Sequence, residues 1–201
     1  MSKSPISALV LAVGGNVSQG ILKALRKSAL PCRVIGADVS ALQMGLYTVD
    51  AGYISPWAHD PAFLGWLIDV CKKESVDIIL TGCEPVIVSL VKHKAAIESA
   101  TNAVCLVNDA AVVNICDDKL RTCQWLKEQG IAHPDFAASE NAAAVRALAE
   151  RHGFPLVAKQ RVGGAGQGML LLQDDDDIAY IVRKKHYVVQ EYVGSENTEY
   201  T

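Results

Sequence analysis

The chain has 201 residues, half of them hydrophobic and a fifth charged, with a formal net charge of −3. That length accommodates one large domain or two small ones with a sizeable core, and the composition excludes global disorder. The slight acidic balance argues against a nucleic-acid partner, which calls for a strong basic excess, and no apolar run is long enough to span a bilayer.

In chain order, the opening MSKSPISALVLAVGG reads as a buried first strand rather than a signal peptide, because no clean small-residue cleavage pattern follows its short apolar run. ALVLAV (8–13) is apolar throughout, as expected of a central parallel strand covered on both faces. After Gly14-Gly15-Asn16, the residues Val17, Ile21, Leu22, Leu25 and Ala29 keep one helical face. RVIGADV (33–39) predicts a second strand, Asp60-Pro61 the opening of a helix, and DIILTG (77–82) a third strand. Glu84-Pro85 predicts another helix start, with Glu84 as its cap, and AVCLV (103–107) a fourth strand. Strands separated by helical segments of this length indicate βαβ units and a parallel sheet.

The pattern changes near residue 108, and the boundary is expected within 108–117. Two short helical segments follow, DAAVVNIC and DDKLRTCQWLKEQG, then a short strand in HPDFAAS and an alanine-rich helix ending at Gly153. FPLVAKQ and GMLLLQ read as strands flanking a glycine loop. DDDDIAYIVRKK predicts a helix with acids in its first turn and bases in its last, and YVVQEYV a final strand. The six cysteines, Cys32, Cys71, Cys83, Cys105, Cys116 and Cys123, form no CxxC pair and suit free thiols in a reducing, cytoplasmic setting. The five histidines are scattered without metal-ligand spacing.

The stretch VAKQRVGGAGQGMLLLQ carries the chemistry. Gly163, Gly164, Gly166 and Gly168 permit positive φ and close backbone approach. Successive N–H groups in such a turn can form an anion-binding nest, and Lys159 at the mouth of the loop adds a cation, so phosphate is the guest that fits. A P-loop would place its lysine after the glycines and lead into a helix; a dinucleotide fingerprint would also open a helix; a kinase loop has its lysine downstream. None of these matches, and a ligand-free glycine hairpin is the structural alternative. A second glycine turn, Gly14-Gly15-Asn16 to Gly20 with Asp38 after the second strand, imitates a dinucleotide site, but the glycine spacing departs from the fingerprint. A tight strand-to-helix turn with Asp38 capping the loop is the expected reading, with a substrate role for Asn16 left open.

Three blocks resemble the ATP-grasp superfamily: DKLRTCQWLKEQGIAHPDF, FPLVAKQRVGGAGQGM and YVVQEYVGSENTEYT. Residues 5–107 resemble the Rossmann-like pre-ATP-grasp domain that precedes the nucleotide lobe in carbamoyl-phosphate synthase large chains and related carboxylate–amine ligases. The sequence departs from the family's pattern at Ala132-His133, at Gln160, and by one extra residue before Glu199. The resemblance implies an α/β pre-ATP-grasp domain at 1–107 and a partial, truncated ATP-grasp domain at 108–201 with a small α+β lobe. It implies ATP held between two such lobes, with Lys119 and Lys159 at the phosphates and the flap from Gly163 to Gly168 over them. It further implies Gln190, Glu191, Tyr192 and Val193 at the adenine edge, and Glu199 at the ribose with Glu196 as competitor.

The implied reaction activates a small-molecule carboxylate as an acyl phosphate for attack by an amine or other nucleophile. Such phosphoryl transfer relies on cations and N–H donors more than on a protein nucleophile. The implied cofactors are ATP and Mg2+, with magnesium ligands beyond residue 201, no catalytic residue assignable within the chain, and a fragment that binds ATP weakly and turns nothing over alone. A homo-oligomer is compatible with this reading. Two other classes stay open at this point: a non-catalytic nucleotide-binding or scaffold module, and a dinucleotide-dependent oxidoreductase domain.

Overall fold

The computed structural model describes residues 4–164, 166 and 168–194. The chain divides into two compact units, Met1–Val113 and Asn114–Thr201.

In the first unit five parallel strands lie in the order β3-β2-β1-β4-β5: β1 (Ile6–Leu11), β2 (Cys32–Asp38), β3 (Ala51–Ile54), β4 (Ile78–Thr81) and β5 (Val104–Cys105). Helices α1 (Asn16–Lys27), α2 (Phe63–Glu74) and α3 (Glu84–Ala100) supply the crossovers. The apolar run at the start of the chain is the central strand, and Ala8, Leu9 and Val10 are fully buried. Its two faces feed two cores. Leu9 and Leu11 pack with Leu67, Ile79 and Leu90, whereas Val10 packs with Val13, Leu22 and Val34.

Strand β3 escapes the sequence pattern. AGYI contains a glycine and no apolar run, and it pairs only with β2, at the sheet edge, where one neighbour suffices to define a strand. Helix α3 also differs at its start. Cys83 is the N-cap and Glu84 the first helical residue, so Glu84 does not cap but faces the positive end of the helix dipole.

At the C-terminal ends of β1 and β4 the chain is tightly joined. The buried Ser18 hydroxyl donates to Leu11 O at 2.9 Å and accepts from Gly82 N at 3.1 Å. Gly82 has no room for a side chain, since a Cβ there would lie 2.3 Å from Val17 Cβ and 3.0 Å from Ser18 N. Asp38, also buried, accepts from Gly14 N at 2.8 Å and Ser40 N at 3.3 Å. Its carboxylate holds the glycine turn, the loop-capping role read from the sequence, and both oxygens are thereby engaged in the protein.

The second unit is an antiparallel sheet in the order β6-β9-β7-β8. Its strands are β6 (Phe136–Ala138), β7 (Leu156–Gln160), β8 (Leu170–Leu172) and β9 (Tyr187–Glu191), with helices α5 (Lys119–Glu128), α6 (Ala142–His152) and α7 (Asp175–Ile181); helix α4 (Ala110–Asp117) runs across the division between the units. Alternation along the strands sorts the side chains. Leu156, Ala158, Leu172 and Val189 face one way and pack with Val145 and Leu148 of α6 and Ile178 and Ile181 of α7.

Capping explains the helix starts. Asn141 accepts from Ala144 N at 3.1 Å, and Asp174 accepts from Asp177 N at 3.0 Å while Asp177 accepts from Gln173 N at 2.8 Å. The aspartate run is therefore a reciprocal cap. The helix it opens is shorter than the sequence predicts, and its last turn holds no base. Lys184 and Lys185 fall outside it: Ser139 Oγ donates to Lys184 O at 2.7 Å, and Glu140 accepts from the backbone N of the following His186 at 2.8 Å.

All six cysteines are free thiols. Burial pushes Cys71 up to about 12 and Cys105 up to about 11, so both are inert packing groups. Among the described residues no helix is long and apolar enough to cross a membrane.

Candidate functional site

The face of the second sheet opposite α6 and α7 carries Val157, Lys159, Leu171, Val188 and Gln190, the positions alternating with the core set. Helix α5 covers its β9 side: Gln190, 7% exposed, donates its amide N–H to Cys123 Sγ at 3.2 Å. Farther along, the face is open. Leu171 is 46% exposed and Lys159 half-buried. Burial pushes the Cys123 thiol up, while the Gln190 amide and the Lys159 ammonium oppose that rise. Alternating with the core residue Ala158 and paired with Val188, Lys159 lies on the same face of the sheet as Gln190, and among the described residues its ammonium pairs with no carboxylate.

Lys119 is the first residue of α5. Its backbone N donates to Arg161 O at 2.8 Å, and its Nζ donates to Gly163 O. The structure thus brings Lys119 to the glycine turn that follows β7, two residues beyond the start of the exposed loop. Gly163, Gly166 and Gly168 take φ of +118°, +70° and +68°, conformations that L side chains rarely adopt, and with Gly164 they lie exposed. Among the described residues between β7 and β8, Val162 and Met169 are exposed as well.

The end of β9 follows different rules from those the sequence suggests. Glu191 O–C–O is committed: one oxygen accepts from Asp135 N at 2.8 Å and the other lies 3.1 Å from His152 Nδ1. His152 Nε2 meets Asp135 Oδ2 at 2.8 Å, and Arg151 joins the same oxygen at 2.8 Å. His152 and Arg151 together hold the Asp135 carboxyl below the usual carboxylate range. Tyr192 is 39% and Val193 70% exposed, at the edge where the strand ends. Glu196 and Glu199 lie outside the described residues.

The residues that sequence reasoning missed are Asp118 and Arg161. Asp118 caps α5, accepting from Leu120 N at 3.0 Å and Arg121 N at 3.4 Å. Arg161 Nε lies 3.0 and 3.1 Å from its two oxygens, and a second guanidinium nitrogen closes the fork. The guanidinium holds the Asp118 carboxyl below its ordinary value. A cap was legible in Asp-Asp-Lys before a helix; its arginine partner was not.

Both units of the chain are similar to known proteins. Residues 9–105 match the PylC-like N-terminal domain and residues 116–200 match the RimK-like ATP-grasp domain. The chain is 31% identical over 96 residues to the glutamate–LysW ligase ArgX of Sulfurisphaera tokodaii, covering 43% of this chain and 34% of that protein. It is 25% identical over 185 residues to the carbamoyl phosphate synthase large chain of Rubrobacter xylanophilus, covering 88% of this chain and 17% of that one. Its fold is like that of N5-carboxyaminoimidazole synthetase from Staphylococcus aureus complexed with ADP, with a TM-score of 0.72 at 18% identity, over 96% of this chain and 50% of that one. The chain thus spans half or less of the length of each of these relatives. The parallel α/β unit and the antiparallel sheet with its glycine turn are thus matched in chain order, the first by a PylC-like N-terminal domain and the second by a RimK-like ATP-grasp domain.

Proposed function

We propose that this chain supplies the triphosphate- and adenine-holding part of an ATP-grasp ligase. The ligase activates a small-molecule carboxylate as an acyl phosphate, which an amine-type nucleophile then displaces. The observation that carries the reading is the convergence of Lys119 on the Gly163 turn, with Lys159 on the same side of the sheet. Lys119 exchanges its contact with Gly163 O for a phosphate oxygen when the nucleotide enters, and Lys159 supplies the second cation. The loop N–H groups of Gly163, Gly164, Gly166 and Gly168 close over the β- and γ-phosphates. Charge developing on the transferred phosphoryl group is met by these fixed donors in a site from which the closed loop excludes water.

At the adenine edge the Glu191 side chain is already engaged by Asp135 N and His152. Recognition there falls to backbone groups of Gln190, Glu191, Tyr192 and Val193, with Glu199 or Glu196 for the ribose. Magnesium accompanies ATP in this chemistry. Among the described residues no three His, Cys, Asp or Glu side chains gather to hold a metal ion. The domain reading is 1–107 for the pre-ATP-grasp unit and 108–201 for the nucleotide part, in a cytoplasmic enzyme.

Isothermal titration separates this from the dinucleotide reading, which the engagement of Asp38 by Gly14 N already disfavours. Mg-ATP is expected to bind and NADH to give no heat; saturable NADH binding with none for Mg-ATP would reverse the assignment.

A further inference from the structure

We infer that Asp118 and Arg161 are positioning residues for phosphate recognition: their forked pair fixes Lys119 and the root of the glycine loop as one rigid piece. The inference rests on the nucleotide reading above.

Arg161 uses nearly every polar group it has. Its N–H donates to His186 O at 2.9 Å and its carbonyl accepts from Lys119 N at 2.8 Å. Its guanidinium grips Asp118 through Nε at 3.0 and 3.1 Å, with a third bond from the outer nitrogen. Asp118, 9% exposed, at the same time caps the helix that begins with Lys119. Arg161 follows β7 directly, two residues after Lys159 and two before Gly163. Four consecutive facts therefore meet in one place: the strand end, the helix start, the first phosphate lysine and the last anchored residue before the glycines.

A helix cap alone does not require this. Ser, Thr or Asn would satisfy the same N–H groups. A carboxylate adds the planar, two-point grip of a guanidinium, which fixes orientation as well as distance. Beyond Arg161, Val162 and the described glycines are exposed. The Asp118–Arg161 fork and the Lys119 N–Arg161 O bond tie the start of α5 to the end of β7, and so fix the spacing of Lys119 and Lys159. Such spacing matters for two cations that must reach the same triphosphate.

The test uses the full 201-residue chain with three ligands: Mg-ATP, AMP and adenosine. Asp118→Asn keeps an oxygen that can cap α5 but removes the ionic fork; Arg161→Lys keeps the charge but removes its planar geometry. Both variants are expected to fold, as checked by circular dichroism, to weaken Mg-ATP about tenfold, and to leave adenosine affinity unchanged. The double variant is expected to be no worse than either single one, since each breaks the same pair. Equal losses for Mg-ATP and adenosine, or unchanged Mg-ATP affinity in both variants beside a binding wild type, would overturn the positioning role alone. A wild-type chain that binds none of the three would overturn the nucleotide reading and this inference with it.

Discussion

Lys159→Ala is expected to weaken Mg-ATP binding by roughly 10- to 150-fold while leaving the circular dichroism spectrum unchanged, the loss of one charge-assisted bond of about 1.5–3 kcal/mol. The residue sits in a strand yet does not serve the core. Its neighbours Leu156 and Ala158 are fully buried against α6 and α7, whereas Lys159 points the other way, half-exposed, near Cys123. Among the described residues it has no carboxylate partner, so on the proposed reading its ammonium is available to a phosphate oxygen. The control is Lys127→Ala, in the last turn of α5 and exposed, which is expected to leave the affinity as it was. Equal losses from both would mean that general charge, rather than position, attracts the nucleotide.

Leu156→Ala, three residues earlier in the same strand, is expected to do the reverse. Leu156 is fully buried in the cluster of Val145, Leu148, Ile178 and Ile181. Truncating a leucine in such a place removes the transfer free energy of the lost methyl groups and leaves a cavity, together about 2–5 kcal/mol. That is a large share of the stability of a domain of this size. Chemical denaturation followed by fluorescence of Trp125 should show a lower midpoint with an unchanged slope. At low denaturant, the fraction that remains folded should bind Mg-ATP with wild-type affinity. A midpoint that does not move would show that the face assignment of β7 is reversed.

That pair of expectations also shows what a sequence can disclose. The apolar run in FPLVAKQ was legible as a strand, and the lysine at the mouth of the glycines as a phosphate candidate. The parallel sheet of the first unit was legible too, because its central strands are continuous apolar runs. Strand β3 was not, since an edge strand with a glycine has neither a run nor a clear alternation. The end of the last helix was misjudged because the contacts that hold the Lys184 and His186 backbone come from Ser139 and Glu140, 45 and 46 residues upstream.

The same limit governs the site. Glu191 reads as a recognition carboxylate from its place in Gln-Glu-Tyr, but His152 and Asp135 N claim it in the folded protein. Asp118 and Arg161 are 43 residues apart in sequence, and nothing local marks the arginine as the partner of that aspartate. Periodicity reports which face a side chain takes; it does not report which side chain from another element will meet it there. The residues of a site that lie on one loop are therefore visible early, and those that brace it from a distance emerge only with the fold.

Amide chemical-shift mapping during a Mg-ATP titration shows whether the open face beside β7 receives the nucleotide. Saturable shifts are expected at Lys119, Lys159, Gly163 to Gly168 and Gln190 to Val193, with little change at Gly14, Gly15 and Asn16. Shifts confined to the Gly14-Gly15-Asn16 turn and Asp38, with the β7–β8 loop unmoved, would contradict it.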